Sequence, residues 1–292
     1  MRPKGLQTKI FLDSGDPQET KKAIALLGFL DGQTTNPSLV VKSPEAQAFL
    51  AQKKGLTGDE RNQLYKKLVT EISQLIPQGS VSIEVEATLE TSAENLLQQA
   101  REMNAWIPNA HIKFPITKAA LQAAKQAVKE GIRVNMTLCF SQEQAAAVYA
   151  ATLGAKKGDV FISPFIGRLD DQGQKGMDLI QNIVHMYRTG DGHGEVLSAS
   201  VRNLEHFLAA IQVKSDSITA PLSILEAWAT SGMEIPDENF SYTPALSSIP
   251  YKQIDLNKDL KEYDITHPLT TSGIQKFTED WEKLGIPNLH FL

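Results

Sequence analysis

The sequence predicts an α/β protein whose eight parallel strands close into a (β/α)8 barrel, and two observations carry that expectation. The hydrophobic period switches repeatedly between two and about 3.6, the alternation that strands joined by crossover helices produce. Within the strands, polar and apolar residues also alternate. An open sheet covered by helices on both faces could hold as many units, but its strands read as continuous apolar runs. In a closed barrel the apolar side meets the helices and the polar side converges on the axis.

Taken in order, the predicted strands are Lys9–Asp13, Gly32–Asn36, Val81–Ala87, Ala110–Pro115, Ile132–Leu138, Val160–Phe165, Gly194–Ser200 and Asp216–Ala220. Three show the two faces plainly. Ser82, Glu84 and Glu86 oppose Val81, Ile83 and Val85; His111, Lys113 and Pro115 oppose Ala110, Ile112 and Phe114; Arg133, Asn135 and Thr137 oppose Ile132, Val134, Met136 and Leu138. Helical stretches lie between them at Pro17–Leu27, Asp59–Leu75, Ser92–Met103, Lys118–Lys129, Gln142–Leu153 and Ser223–Thr230. Ser92, Thr117 and Ser141 put a hydroxyl where an N-cap belongs, and Gly131, Gly154 and Gly158 fall where a helix should stop. Ala51–Glu60 and Arg188–Gly194 read as surface excursions. After the eighth unit the rhythm is lost: Met233–Leu260 reads as irregular, and Leu269–Leu284 is helical, with Ile274, Phe277, Trp281 and Leu284 on one stripe. Residues 1–292 are therefore expected to form a single barrel domain. Residues 233–292 would be a C-terminal extension packed on the barrel or on a neighbouring subunit.

Composition narrows the function classes. The formal net charge of -5, with no dense Lys/Arg run, argues against nucleic acid as a partner. A single cysteine, Cys139, excludes an internal disulfide framework and suits a reducing compartment. Met1–Leu12 lacks the apolar core of a signal peptide, and no apolar run approaches membrane-spanning length. A cytoplasmic protein without a membrane partner is expected.

Active sites of such barrels sit at the C-terminal ends of the strands. Read strand by strand, those ends carry Asp13; Thr34 and Asn36; Glu84 and Glu86; Lys113; Asn135 and Thr137; Ser163 with Arg168; and Ser200 with Arg202. Lys113, between Ile112 and Phe114, has two readings. A lysine amine attacks a carbonyl only when neutral, and desolvation is the main route to that state; equally, its head could pair with Glu84 or Glu86. Asp13 and Glu84 fit two acid/base roles, or serve as hydrogen-bond acceptors at strand ends. Arg168 and Arg202, each accompanied by a serine, suit a phosphate cradle, or a salt bridge to Asp170 or Asp171. The six histidines (His111, His185, His193, His206, His267 and His290) show no metal-ligand spacing, so no metal is expected. Gly190-Asp-Gly-His-Gly fits neither a P-loop nor a dinucleotide fingerprint, and Cys139 reads as a small buried apolar residue.

The strings themselves resemble the transaldolase family. Phe11-Leu-Asp-Ser-Gly, Asp31-Gly-Gln-Thr-Thr-Asn-Pro-Ser-Leu and Val81-Ser-Ile-Glu-Val are similar to its first three strands. His111-Ile-Lys-Phe-Pro, Val134-Asn-Met-Thr-Leu-Cys-Phe-Ser, Ile162-Ser-Pro-Phe-Ile-Gly-Arg-Leu-Asp-Asp and Ser198-Ala-Ser-Val-Arg-Asn are similar to the next four. Leu269–Leu284 resembles the closing helix, whereas Met233–Leu260 matches nothing that can be placed.

The resemblance implies a Schiff base on Lys113 and an acid/base role for Asp13 at the C4 hydroxyl of a ketose phosphate. It implies that Glu84, with a water held by Thr137, shuttles protons. Asn36 and Asn135 would hold the dihydroxyacetone unit, and Ser200, Arg202 and Arg168 the phosphate, with Ser163 in support. No cofactor is implied, because the iminium does the work of a Lewis acid. Related small aldolases, which release the three-carbon unit to water, tend to carry Gln and Tyr where this chain has Glu84 and Phe165. Transfer between sugar phosphates is therefore expected ahead of simple fructose 6-phosphate cleavage, and both ahead of a silent sugar-phosphate-binding barrel. C-terminal segments in this family often form subunit contacts, so a homo-oligomer, a dimer first, is the expected assembly.

Overall fold

In the computed structural model, which describes residues 1–52, 55–237 and 239–285, eight parallel strands close into a barrel in sequence order. They are β1 (Lys9–Asp13), β2 (Gly32–Thr34), β3 (Ser80–Glu84), β4 (Ala110–Pro115), β5 (Val134–Cys139), β6 (Val160–Pro164), β7 (Gly194–Ser198) and β8 (Ser217–Ala220), with β8 pairing back onto β1. Around them run α1 (Pro17–Leu27), α2 (Pro37–Lys42), α3 (Pro44–Ala51), α4 (Gly58–Leu75), α5 (Ala93–Asn104) and α6 (Lys118–Lys129). The ring continues with α7 (Gln142–Ala151), α8 (Ile166–Asp170), α9 (Gly176–Tyr187), α10 (Leu204–Gln212) and α11 (Leu222–Thr230). A single 3₁₀ turn (Leu260–Glu262) precedes α12 (Pro268–Glu282).

α2, α3, α8, α9 and α10 lie outside the helices named from the sequence, and several strand ends also differ. β2 stops at Thr34 instead of Asn36, because Pro37 has no N–H to extend the ladder and its fixed φ suits the first turn of a helix. Asn36 then caps α2, its Oδ1 accepting from Leu39 N at 3.0 Å. β3 ends at Glu84, so Glu86 leaves the inner face; its carboxylate accepts from Trp281 Nε1 at 3.1 Å and lies 4.0 Å from Arg61. β5 begins at Val134, leaving Arg133 to donate to Pro108 O. Ser92, Thr117 and Ser141 cap α5, α6 and α7 as expected. Gly158, with φ of 92°, sits in the turn before β6 and ends no helix.

The barrel interior is packed at its base. His111 stacks on Phe161 with ring centroids 4.3 Å apart, and Phe11 meets Phe161 edge-on. Burial pushes the His111 pKa down to about 3, so the ring is neutral: Nε2 donates to Gly158 O and Nδ1 accepts from Ser80 Oγ. The Lys9–Glu195 ion pair, 2.8 Å, closes the floor. Cys139 is buried, as expected of a small apolar residue, and burial pushes its thiol up to about 12. The apolar face of every strand meets the helices, where Trp228, Phe207, Leu68 and Ile72 are fully covered.

The irregular segment after α11 holds to its own barrel by backbone groups. Asn182 donates to Ile249 O, Lys175 N to Ser247 O, and the Gln142 amide exchanges two hydrogen bonds with Lys252. It delivers the chain to α12, whose Ile274, Phe277 and Trp281 are buried together with Leu284. Of the histidines, His290 lies outside the described residues. No helix among the described residues is long and apolar enough to cross a membrane.

Gln144 of α7 joins these parts. Its Oε1 accepts from Phe140 N, and its Nε2 donates to Ile265 O and Thr270 Oγ1. Replacing it with an isosteric apolar side chain strands a buried N–H and frees the start of α12. We predict that Gln144→Leu lowers unfolding stability by about 1–3 kcal/mol in urea titrations; an unchanged midpoint would show that α12 is anchored elsewhere.

Candidate active site

At the C-terminal mouth of the barrel lies a cavity of about 690 Å³. Eight of the expected residues line it: Asp13, Asn36, Lys113, Ser163, Phe165, Arg168, Ser200 and Arg202. The other three, Glu84, Asn135 and Thr137, are buried and do not reach its wall.

Register explains why the deep groups meet. Glu84 pairs with Lys113 across β3 and β4, and Lys113 with Asn135 across β4 and β5. Inward-facing positions on adjacent strands thus fall into one layer. Lys113 Nζ is 2.9 Å from Glu84 Oε2, both side chains being 3% exposed. The pairing that the sequence left open is therefore formed, with the same lysine facing the cavity. Nζ also donates to Thr35 O at 3.3 Å. Thr137 Oγ1 is buried without a hydrogen-bond partner among the described residues. Burial raises the Glu84 pKa above the ordinary carboxyl value, against the lowering pull of Lys113 and, further off, Arg168.

Asp13 stands across the cavity. Its Oδ1 accepts from Thr34 Oγ1 at 2.7 Å, and Thr34 in turn accepts from Thr219. Burial again dominates and raises its pKa, while the charges of Lys113 and Lys42 and the Thr34 hydrogen bond oppose it. Asn36 spends its Oδ1 on the cap of α2 and keeps its amide nitrogen without a partner among the described residues. Ser163 donates to Asn135 Oδ1, and Asn135 Nδ2 donates to Ser82, a buried polar row beneath the cavity.

The two arginines behave differently. Arg202, on the loop after β7, pairs with Asp171 at 2.9 Å, both half-exposed; this is one of the salt bridges the sequence allowed. Arg168 has no acidic or hydrogen-bonding partner among the described residues and lies over the Phe165 and Phe277 rings, 5.4 and 5.6 Å from their centroids. Burial, then the nearby Arg202 charge, lowers its pKa. Two cations brought together beside Ser200 favour an anion between them. Gly167 makes this approach feasible, since a Cβ there would sit 2.4 Å from both Ser200 O and Arg202 Nε. Ser200 itself has φ of 60°, a left-handed backbone.

Sequence reasoning missed several supporting groups. Tyr65, in the middle of α4, accepts Glu84 N–H at 2.9 Å and donates to Thr35, whose hydroxyl goes to Ser82 O. It reads in sequence as an ordinary buried aromatic on a helix face. Thr35 belongs to the Thr34-Thr-Asn-Pro-Ser-Leu string, which was its only signal. Lys276, Asp280 and Phe277 of α12 complete the wall, with Asp280 held by Lys276, Lys283 and Ser38.

A buried lysine–carboxylate pair beneath a mouth where two arginines meet is an arrangement suited to carbonyl chemistry on an anionic compound. The chain belongs to the transaldolase/fructose-6-phosphate aldolase family, whose sequence pattern matches residues 10–286. It is 36% identical over 276 residues to a protein of Dehalococcoides mccartyi named "Probable transaldolase", covering 94% of this chain and 99% of that one. Proteins of the same name from Anaeromyxobacter dehalogenans and Brucella ovis are 36% and 35% identical, over 94% and 95% of this chain and 97% and 98% of theirs. The protein is thus a transaldolase-type enzyme.

The raised Asp13 pKa has a stability consequence with a definite sign. A carboxyl that binds its proton more tightly when folded costs stability once ionised: the cost is full above the folded pKa and absent below the unfolded one, 3.8. We predict that Asp13→Asn raises the thermal midpoint at pH 7, and that the gain disappears as the pH falls toward 3.8. A lower midpoint at pH 7 would contradict the burial argument.

Proposed function

We propose that the chain transfers a dihydroxyacetone unit from sedoheptulose 7-phosphate, or fructose 6-phosphate, to an aldose phosphate through a Schiff base on Lys113. This is the transferase step of the non-oxidative pentose phosphate pathway, in the cytoplasm. The observation that carries the reading is the Lys113–Glu84 pair, buried at 2.9 Å beside a cavity whose wall holds Asp13 and Arg168.

Each step assigns a proton to a named group. Glu84, whose burial makes its carboxylate a better proton acceptor, takes a proton from the Lys113 ammonium. The free amine adds to the ketose carbonyl, and loss of water gives a protonated imine. Glu84, with a water held by Thr137, moves protons in this exchange. Asp13 accepts the C4 hydroxyl proton, the C3–C4 electron pair flows into the iminium, and the aldose phosphate leaves. The remaining three-carbon enamine is neutral and attacks the carbonyl of the second aldose phosphate by the reverse sequence. Asn36 and Asn135 hold the three-carbon unit, the latter through the row it shares with Ser163. Arg168, Ser200 and Arg202 receive the phosphate, which would draw Arg202 from Asp171. Glu84 and Phe165 in place of the Gln and Tyr of small aldolases support transfer over simple cleavage.

Borohydride reduction in the presence of fructose 6-phosphate, followed by mass spectrometry, is expected to place an adduct on the peptide containing Lys113, and Lys113→Met to lose it. An unmodified peptide would refute the mechanism. Asp13→Asn is expected to keep the adduct while lowering kcat by about 10²–10⁴-fold. Fructose 6-phosphate alone should turn over far more slowly than with erythrose 4-phosphate; equal rates would make the enzyme a fructose-6-phosphate-type aldolase.

A further inference from the structure

β2 leaves the barrel one hydrogen bond early, and a side chain takes the place of the missing bond. Along the pairing of β2 with β3, Ser80 N–H donates to Asp31 O and Thr35 N–H to Ser82 O. Continued by the same alternation, a regular parallel ladder would send the Glu84 N–H to Thr35 O. Pro37 instead turns the chain into α2, and the Glu84 N–H goes to Tyr65 Oη at 2.9 Å. Thr35 O, released from β3, accepts from Lys113 Nζ at 3.3 Å.

We propose that Tyr65 is a positioning residue for the Lys113–Glu84 pair: its hydroxyl replaces the ladder bond at Glu84 and so leaves Thr35 O free to hold the amine. This rests on the Schiff-base reading of Lys113. Tyr65 comes from α4, outside the barrel wall, and does not line the substrate cavity, so it acts only through these neighbours. Its ring is 1% exposed and sits edge-on to Trp106 and Trp281, with centroids 6.0 and 5.6 Å away. The Thr35 hydroxyl spends its proton on Ser82 O, so the proton between the Tyr65 and Thr35 oxygens belongs to the phenol. Burial pushes the phenol pKa above its ordinary value, which keeps that proton in place.

The hydroxyl therefore joins both contacts of the amine. Lys113 Nζ lies 2.9 Å from Glu84 Oε2 and donates to Thr35 O, while Tyr65 holds the backbone of Glu84 and the side chain of Thr35. Without the hydroxyl, the buried Glu84 N–H has no acceptor where it stands. An unpaired buried N–H is costly, and the acceptor that the ladder geometry offers is Thr35 O. Closing that gap takes the carbonyl from the amine and moves the Glu84 carboxylate with its backbone. Misplacing reacting groups by about 1 Å slows the chemical step strongly even when substrate still binds. Neither Arg168 nor Arg202 takes part in this chain of hydrogen bonds, so anion binding at the rim should be spared.

The test compares the intact chain with Tyr65→Phe, which keeps the ring and deletes the hydroxyl, and with Thr35→Val and Thr35→Ser, which remove and keep the phenol's acceptor. Each is mixed with saturating fructose 6-phosphate, quenched with borohydride at set times and analysed by mass spectrometry for the rate of adduct formation on Lys113. Inhibition by inorganic phosphate reports the anion-binding rim, and the thermal midpoint reports folding. Adduct formation and kcat should fall by about tenfold in Tyr65→Phe and Thr35→Val with the phosphate inhibition constant unchanged, while Thr35→Ser stays within about twofold of the intact chain. If Tyr65→Phe melts lower but forms the adduct at the intact rate, Tyr65 is structural packing and the proposal is overturned. It is overturned equally if the adduct rate and phosphate affinity fall together, or if Thr35→Ser loses as much as Thr35→Val. Should Tyr65→Phe not fold, the two Thr35 variants decide the matter by the same criteria. An intact chain that forms no adduct would instead refute the lysine assignment itself, a result distinct from a defect confined to the variants.

Discussion

Keeping a lysine amine out of water inside a barrel is costly, and much of this structure follows from how that cost is offset. Moving an ammonium or a carboxylate from water to a buried site carries a penalty of several kcal/mol per ion. Lys113 and Glu84 are both almost fully covered, and each is the other's nearest opposite charge. Around them the polar residues are arranged as acceptors and donors with few left over. Tyr65 fixes the Glu84 backbone, Thr35 O receives the lysine, and the row Ser163–Asn135–Ser82 satisfies the layer beneath. The polar inner faces of β2 to β6 are thus explained by the need to solvate one ion pair with fixed dipoles.

The same constraint separates the two halves of the site. Deep groups are held by strand register. The anion-receptive rim depends on close backbone approach, where Gly167 lets the loops after β6 and β7 touch and Ser200 takes a left-handed backbone. His206 braces this rim from behind. Its Nδ1 accepts Arg202 N–H, so its Nε2 carries the proton toward Asp170 and Tyr242. Tyr242 comes from the irregular segment after α11 and also donates to Asp170. That segment therefore braces the loops that carry Arg168 and Arg202 and returns the chain to place α12 over the mouth.

Catalytic readiness and folding stability pull against each other at Asp13. Burial that makes its carboxylate a stronger base also makes its ionised form less comfortable in the folded chain. Thr34 moderates this with one hydrogen bond and no more. A second protein donor would lower the pKa further and weaken the base, so the single hydrogen bond from Thr34 among the described residues suits the proton-accepting role proposed for Asp13.

Sequence by itself determined the architecture, because the barrel is written in local patterns. Period-two alternation with a polar inner face, hydroxyl caps at Ser92, Thr117 and Ser141, and Pro and Gly at element ends are properties of residues and their immediate neighbours. Its errors lay where local pattern and hydrogen bonding part: β3 alternates in sequence through Glu86, yet the ladder ends at Glu84 and the next carboxylate turns outward to Trp281. Lys113, Asp13 and Arg168 were legible as polar residues at strand ends, but their partners were not. Tyr65 and Phe277 sit on helix stripes that could equally be plain core, and Arg202 could be read as cradle or salt bridge. Only the tertiary structure decided these, since which side chains meet depends on strand register and on where a helix about 160 residues after Lys113 crosses the mouth, and neither is encoded in the spacing of nearby residues.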